Sequence, residues 1–236
     1  MTYKINTIYP AFMGEVNKYG IGAKCTFLRF NGCNMRCYLQ TKGILCDTPE
    51  ALVVGEGYIM TTDEIVERLH SLGNRIVCLT GGEPLLQKPT ELLQRLSDEG
   101  FYVVVETNGS QNVLPYADME NVSFVVDYKS KSSGEGDSFR STHTGILGTG
   151  DFIKFVVDDL ADYNEMKEFV GEHGSSIQAV IAVGLFWGSK IGYQELMDWC
   201  TRDKLNVTIN MQTHKMAVMY DNYREDVQKL VIPKEL

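Results

Sequence analysis

Short runs rich in β-branched and aromatic residues alternate along the chain with stretches in which apolar residues recur every three or four positions. The first kind reads as strands: Lys24–Phe30, Arg75–Thr80, Tyr102–Glu106, Ser123–Lys129, Phe152–Val157, Ala179–Val183 and Val207–Gln212. Helical patterns lie between several of them. Thr61-Thr62-Asp63-Glu64 is a capping box, followed by Ile65, Val66, Leu69 and Leu72 at helical spacing and closed by Gly73. Pro89–Glu99 carries Leu92, Leu93 and Leu96 on one side and stops at Gly100, and Leu160–Val170 and Tyr193–Cys200 repeat the theme. The alternation implies parallel strands with right-handed crossovers. No repeat or low-complexity linker interrupts it, so residues 1–236 read as a single α/β domain.

A parallel sheet or barrel places its site at the carboxyl ends of its strands, and the chemically interesting residues fall there. Cys33 and Cys37 follow the first strand, Gly81-Gly82-Glu83-Pro84 the second and Thr107-Asn108-Gly109 the third; Lys129–Gly134 follows the fourth, and Gln212 and His214 end the last. Asp47–Tyr58 and Ser132–Gly150 break the rhythm. The second holds five of the 22 glycines and few large apolar residues, the composition of a mobile loop beside a site.

With 44% apolar and 22% charged residues the chain has material for a sizeable core, which excludes a disordered tail. Lys and Arg number 22 against 31 Asp and Glu, a formal charge of -9 that opposes any broad grip on nucleic acid or anionic lipid. Residues Met1–Glu15 lack a signal-peptide pattern, and the longest mostly apolar stretch, Ile177–Trp187, falls short of the roughly 30 Å of a bilayer core. A soluble cytoplasmic protein with reduced thiols is expected.

Three of the six cysteines crowd into Cys33-Asn34-Met35-Arg36-Cys37 and, after eight residues, Cys46-Asp47-Thr48. Three thiolates on one connection suit three irons of a four-iron cluster, with the fourth iron open to a small ligand. The alternative is zinc, but a structural zinc site wants four closed ligands and no fourth cysteine or histidine lies nearby. Cys25, Cys78 and Cys200 sit inside strand or helix patterns and read as core. Arg29 ends the first strand on the side shared by Cys25 and Phe27, so its guanidinium projects at the mouth, where a planar fork suits a carboxylate; a surface salt bridge is the bland alternative. Gly81-Gly82 removes two β-carbons where backbone approaches a ligand, or simply makes a tight turn. Glu106 with Asn108, Asp127 with Lys129, and Thr208, Asn210, Gln212 and His214 each share a face, which makes a polar mouth.

Cys-x3-Cys with a third cysteine, and Gly-Gly-Glu-Pro after the next strand, resembles the radical S-adenosylmethionine superfamily, although the usual third spacing is Cys-x2-Cys. Cys46-Asp47-Thr48 is similar to one branch, the 7-carboxy-7-deazaguanine synthases of the queuosine pathway. The likeness runs from about Ile8 to Lys215 through Gly14-Glu15, Arg29-Phe30-Asn31-Gly32-Cys33, Thr80-Gly81-Gly82-Glu83-Pro84-Leu85-Leu86, Glu106-Thr107-Asn108-Gly109, Asp127-Tyr128-Lys129 with Ser132-Ser133-Gly134-Glu135, and Gln212-Thr213-His214-Lys215. Met13 and Val16 depart from its Gln-Gly-Glu-Gly, and Tyr38–Leu45 reads as an insertion.

The resemblance implies a partial (β/α) barrel of about six parallel strands. It also implies a 4Fe-4S cluster on Cys33, Cys37 and Cys46, S-adenosyl-L-methionine chelating the open iron, and Mg2+ on Thr48. For the cofactor it implies Asp47, Thr80, Gly81, Gly82, Glu83, Glu106, Asn108, Asp127, Tyr128 and Lys129. For substrate and catalysis it implies Glu15, Arg29, Gln212 and His214, with Arg29 on the substrate carboxylate. The implied reaction is a lyase step that converts 6-carboxy-5,6,7,8-tetrahydropterin to 7-carboxy-7-deazaguanine with loss of ammonia. An external, flavodoxin-like one-electron reductant and a homodimer follow from the same likeness, with neither membrane nor direct nucleic acid as partner. Two rival readings are a glycyl-radical-enzyme activase of the same superfamily and a zinc-stabilised binding module without catalysis.

Overall fold

A computed structural model describes residues 1–44, 46–52, 57–219 and 221. Strands β2 (Lys24–Phe30), β4 (Ile76–Gly81), β5 (Tyr102–Thr107), β6 (Val122–Tyr128), β7 (Phe152–Val157), β8 (Val180–Leu185) and β9 (Thr208–Ile209) run parallel in that order. These are the strands read from sequence, with most ends moved by a residue or two. The last keeps only Thr208–Ile209 in the ladder, with Asn210 N still donating to Val183 O at 2.7 Å just beyond it.

Two further strands complete the nine-stranded sheet. β1 (Thr2–Phe12) pairs antiparallel with β2, and β3 (Tyr58–Thr61) pairs antiparallel with β1 at the edge. Neither is legible as a strand from periodicity. The register of β1 shifts between Ile5 and Thr7, which breaks its alternation, and β3 is four residues long with Tyr58 and Ile59 exposed.

Period two divides the sheet's side chains cleanly. Leu28, Leu79, Val103, Val105, Phe124, Val126, Phe155 and Val183 face helices α2 (Thr62–Leu72), α3 (Thr90–Asp98) and α5 (Leu160–His173) in the main core; α6 (Tyr193–Arg202) adds Leu196 and Cys200. On the concave face Cys25, Cys78, Val104 and Val125 form a smaller apolar floor with Met13. The cysteines assigned to the core are buried, Cys25 and Cys78 in this floor and Cys200 on α6 in the main core. The expected mobile loop Ser132–Gly150 is instead tied down. It contains α4 (His143–Ile146), buries Ser133, His143 and Leu147, and bonds His143 Nε2 to Gln111 O at 2.9 Å. These anchors are bonds to residues distant in sequence, which bulk composition does not reveal.

The sheet is open between β3 and β9. Residues after β1 cross the gap on the concave side: Val16 N donates to Asn210 Oδ1 (2.9 Å) and Thr213 N to Gly14 O (2.9 Å). At the start of α2, Glu64 N donates to Thr61 Oγ1 (3.2 Å) while Thr61 N donates to the Glu64 carboxylate (2.7 Å), and Gly73 (φ 70°) ends the helix. Thr61→Ala should lower folding stability by about 1 kcal/mol, the usual value of an N-cap, read as a shift of the urea midpoint.

Candidate active site

The connection after β2 is pinned to its neighbours by backbone. Gly32 N donates to Ala51 O and Glu83 N to Gly32 O, each at 2.8 Å, and Gly82 N donates to Phe30 O at 3.1 Å. A β-carbon on Gly82 would lie 2.1 Å from Gly32 O, and one on Gly81 (φ 112°) 2.3 Å from Phe30 O. The glycine pair is thus demanded by protein backbone, not by a tight turn alone. The Glu83 carboxylate is fully buried and accepts from Leu85 N (3.0 Å), Thr107 Oγ1 (2.8 Å) and Asn108 N (2.7 Å). Burial pushes its pKa up to about 7 despite those donors. Its oxygens are committed to joining the ends of β4 and β5.

On this frame stand the three clustered cysteines, all partly exposed, whereas Cys25, Cys78 and Cys200 are buried. Asn108 Nδ2 lies 3.8 Å from Cys33 Sγ and donates to Asn34 Oδ1 at 3.0 Å. Cys37 has its pKa raised by burial; Lys129 opposes the shift, and Asp127 and Cys33 add to it. Cys46 is pushed up to about 11, chiefly by burial and then by Asp47 and Cys37, against a backbone bond from Thr48. Cys37 therefore lies within electrostatic reach of both other thiols. Among the described residues no group of three or more His, Cys, Asp or Glu converges to hold a single ion.

The carboxyl half of the concave face is polar. Lys154, only 8% exposed, bonds Glu15 Oε2 at 2.7 Å and pairs with Asp127 Oδ1 at 3.0 Å; Asp127 Oδ2 takes Lys129 Nζ at 2.6 Å. Glu15 also accepts from Asn210 Nδ2 (3.0 Å) and Gln212 Nε2 (2.8 Å). Burial would raise the Glu15 pKa, but the Lys154 charge and these bonds outweigh it and hold it at about 2. Asp127 is likewise lowered, its burial outweighed by Lys129 and Lys154. Glu106 accepts from Thr80 Oγ1 (2.8 Å) and is raised by burial, with Lys154 opposing. Lys154 was missed in the sequence reading. It is the one charged residue in Phe152–Val157, on the concave register position beside Asp127, and that signal was available.

Arg29 reaches the rim, with Nη1 on Glu50 Oε1 (2.9 Å), Nη2 on the Tyr9 hydroxyl (3.1 Å) and its buried Nε without a partner. Nη1 thus holds a half-exposed carboxylate, the salt bridge given above as the alternative reading. His214 lies against Gly14, where a β-carbon would fall 2.3 Å from Nδ1. Asp47 Oδ1 is 3.4 Å from Thr48 Oγ1 and 3.7 Å from Cys46 Sγ, and its Oδ2 is 3.3 Å from Lys215 Nζ. Tyr128 departs from the expectation. Its ring packs in the core against Phe155 (4.4 Å between centroids) and Phe169, and its hydroxyl donates to Glu165 at 3.3 Å. Period two sends it to the helix side of β6, so its side chain is not among the groups lining the mouth.

Residues 27–121 match the model of the Radical SAM superfamily. The chain is 35% identical to the 7-carboxy-7-deazaguanine synthase of Koribacter versatilis, over 90% of this chain and 95% of that one. It belongs to the 7-carboxy-7-deazaguanine synthase family. The synthase of Clostridium acetobutylicum is 34% identical over 92% of this chain and 96% of its own. The crystal structure of QueE from Escherichia coli shares the fold, with a TM-score of 0.70 and 22% identity over 90% of this chain and 94% of that one. The α/β partial barrel expected from the family resemblance is therefore the fold observed.

The contribution of Glu15 to folding is fully present above its ordinary pKa of 4.5 and drains away as pH falls towards about 2. Urea midpoints measured across that window should fall more steeply for the wild type than for Glu15→Gln, which has no such proton to take up.

Proposed function

We propose that this chain converts 6-carboxy-5,6,7,8-tetrahydropterin to 7-carboxy-7-deazaguanine with loss of ammonia. What supports the reading is membership of the family, with Cys33, Cys37 and Cys46 partly exposed on the connection after β2 while the other three cysteines are buried, Asn108 Nδ2 at 3.8 Å from Cys33 Sγ, and Arg29 at the rim. Cys33, Cys37 and Cys46 would hold a 4Fe-4S cluster, and bound with S-adenosyl-L-methionine it supplies one-electron chemistry and hydrogen-atom abstraction from carbon. Asn108, Thr80, Glu106, Asp127 and Lys129 would line the cofactor. Glu15, Glu106 and Asp127 outnumber the ammonium groups Lys129 and Lys154 by one, so with Glu106 ionised the set favours a cationic ligand such as a sulfonium.

On the substrate side, Arg29 would exchange Glu50 for the substrate carboxylate, adding its free Nε as a donor. Glu15, held ionised, offers acceptors to ring N–H groups, and Gln212 and His214 complete that wall. Met13 stands in the apolar floor and contributes packing. Thr48 with Asp47 presents two neighbouring oxygens, a partial set that Mg2+ would complete with substrate and water. A homodimer and a flavodoxin-like one-electron donor belong to the same proposal. Among the described residues no helix is long and apolar enough to cross a membrane. Family membership and the carboxylate-ready Arg29 favour this reading over an activase or a zinc module.

Reconstituted anaerobically with iron and sulfide, the protein should be brown, absorb near about 400 nm and turn over the carboxytetrahydropterin under reduction. Formation of 5′-deoxyadenosine without deazaguanine product would remove the substrate assignment and leave the superfamily. Arg29→Ala should weaken substrate binding by about 10- to 100-fold, the loss of a charged hydrogen bond, with cofactor binding nearly unchanged. Equal losses of both would contradict its role.

A further inference from the structure

Eight residues separate Cys37 from Cys46. A free segment of that length spans up to roughly 26 Å at about 3.3 Å per residue, so the chain itself does not fix where Cys46 stands. Within that segment one turn of helix is firmly held. Tyr38 (φ 63°) opens and Gly43 (φ 66°) closes a single helical turn, α1 (Leu39–Lys42), which is seated on the carboxyl ends of β7 and β8. Tyr38 N donates to Ser133 O (2.7 Å) and Thr41 Oγ1 to Ser132 O (2.6 Å), while the Tyr38 ring packs on Phe186 at 4.3 Å.

The strongest of these contacts is ionic. Lys42 Nζ bonds Asp158 Oδ2 at 2.6 Å and lies 5.2 Å from the Phe186 ring. Asp158 follows β7 and is 1% exposed, with Oδ1 buried and lacking a hydrogen-bond partner. A carboxylate so deeply buried is rigid, and it is costly to leave without its cation. Its own position is set by Asp158 N donating to Asp162 Oδ2 (2.9 Å), and the same oxygen takes Ser132 Oγ (2.6 Å). The strut that holds α1 is therefore anchored in β7, α5 and the 131–133 turn together. Beyond Cys46, Lys215 grips Asp47 at 3.3 Å.

We propose that the Lys42–Asp158 pair is a latch that seats α1 and thereby positions Cys46 as the third sulfur ligand. Lys42 is a positioning residue, and the inference rests on the reading of Cys46 as a cluster ligand. A second cation, Lys190, stands 3.5 Å from Asp158 Oδ2 and is 65% exposed on its side chain. With Lys42 removed, Asp158 keeps a partner, so the fold should survive.

The test compares wild type, Lys42→Met, Lys42→Arg and Cys46→Ser, each reconstituted anaerobically and challenged with an iron chelator while absorbance near about 400 nm is followed. Thermal melting of the apoproteins is the control. Lys42→Met should melt close to wild type yet release iron about ten-fold faster or more, the range for groups that orient metal ligands. Lys42→Arg should restore much of the retention. Cys46→Ser should fail to hold a four-iron cluster. Wild-type release from Lys42→Met, or fast release that Lys42→Arg leaves unchanged, overturns the latch. Wild-type retention by Cys46→Ser overturns instead the ligand reading beneath it. Should Lys42→Met not fold, Thr41→Val removes a more exposed strut of the same seat and must also speed release for the proposal to stand.

Discussion

At the centre of the concave face a single ammonium ties the segment after β1 to the parallel strands of the sheet. Lys154 rises from β7 and binds Glu15, which follows β1, and Asp127, at the end of β6. Burying three charges is expensive unless each is paired, and removing one partner from such a group typically costs about 3–5 kcal/mol. Glu15 is drawn across the open side of the sheet by that charge, bringing with it the segment that bonds Asn210 and Thr213. The closure of the barrel, the ionised state of Glu15 and the orientation of Asp127 towards Lys129 are thus one electrostatic arrangement. It needs the apolar floor of Cys25, Cys78, Val104 and Val125 below it to exclude water from one side.

Much of the fold was legible in the sequence because parallel strands buried on both faces read as continuous apolar runs, and because the residues after each run are polar and small. The strand positions, their parallel sense and the capping box at Thr61 followed from local pattern. What escaped has physical causes. β1 hides behind a register shift and β3 behind its brevity. The partners of Lys154 lie 139 and 27 positions away, on other elements, so only the oddity of a lysine in an apolar strand pointed to it. Tyr128 was placed at the mouth by motif likeness, although the alternation that pairs Asp127 with Lys129 sends it to the opposite face.

The glycine pair teaches a related lesson. Gly81 and Gly82 fit the expectation that backbone must pass close by, but the passing backbone is Phe30 to Gly32. Glu83 likewise spends its oxygens on Leu85, Thr107 and Asn108. The motif after β4 braces the connection that carries Cys33 and Cys37 against the ends of β4 and β5.

The triplet Asp127-Tyr128-Lys129 serves two environments with three consecutive residues: two flank the mouth and the middle one is wedged among Phe139, Phe155 and Phe169. The reading frame of β6 is consequently intolerant of length change. Deleting one residue upstream within the strand would turn the phenol outward and drive a carboxylate and an amine into hydrocarbon, so variation here is confined to exchange at fixed positions.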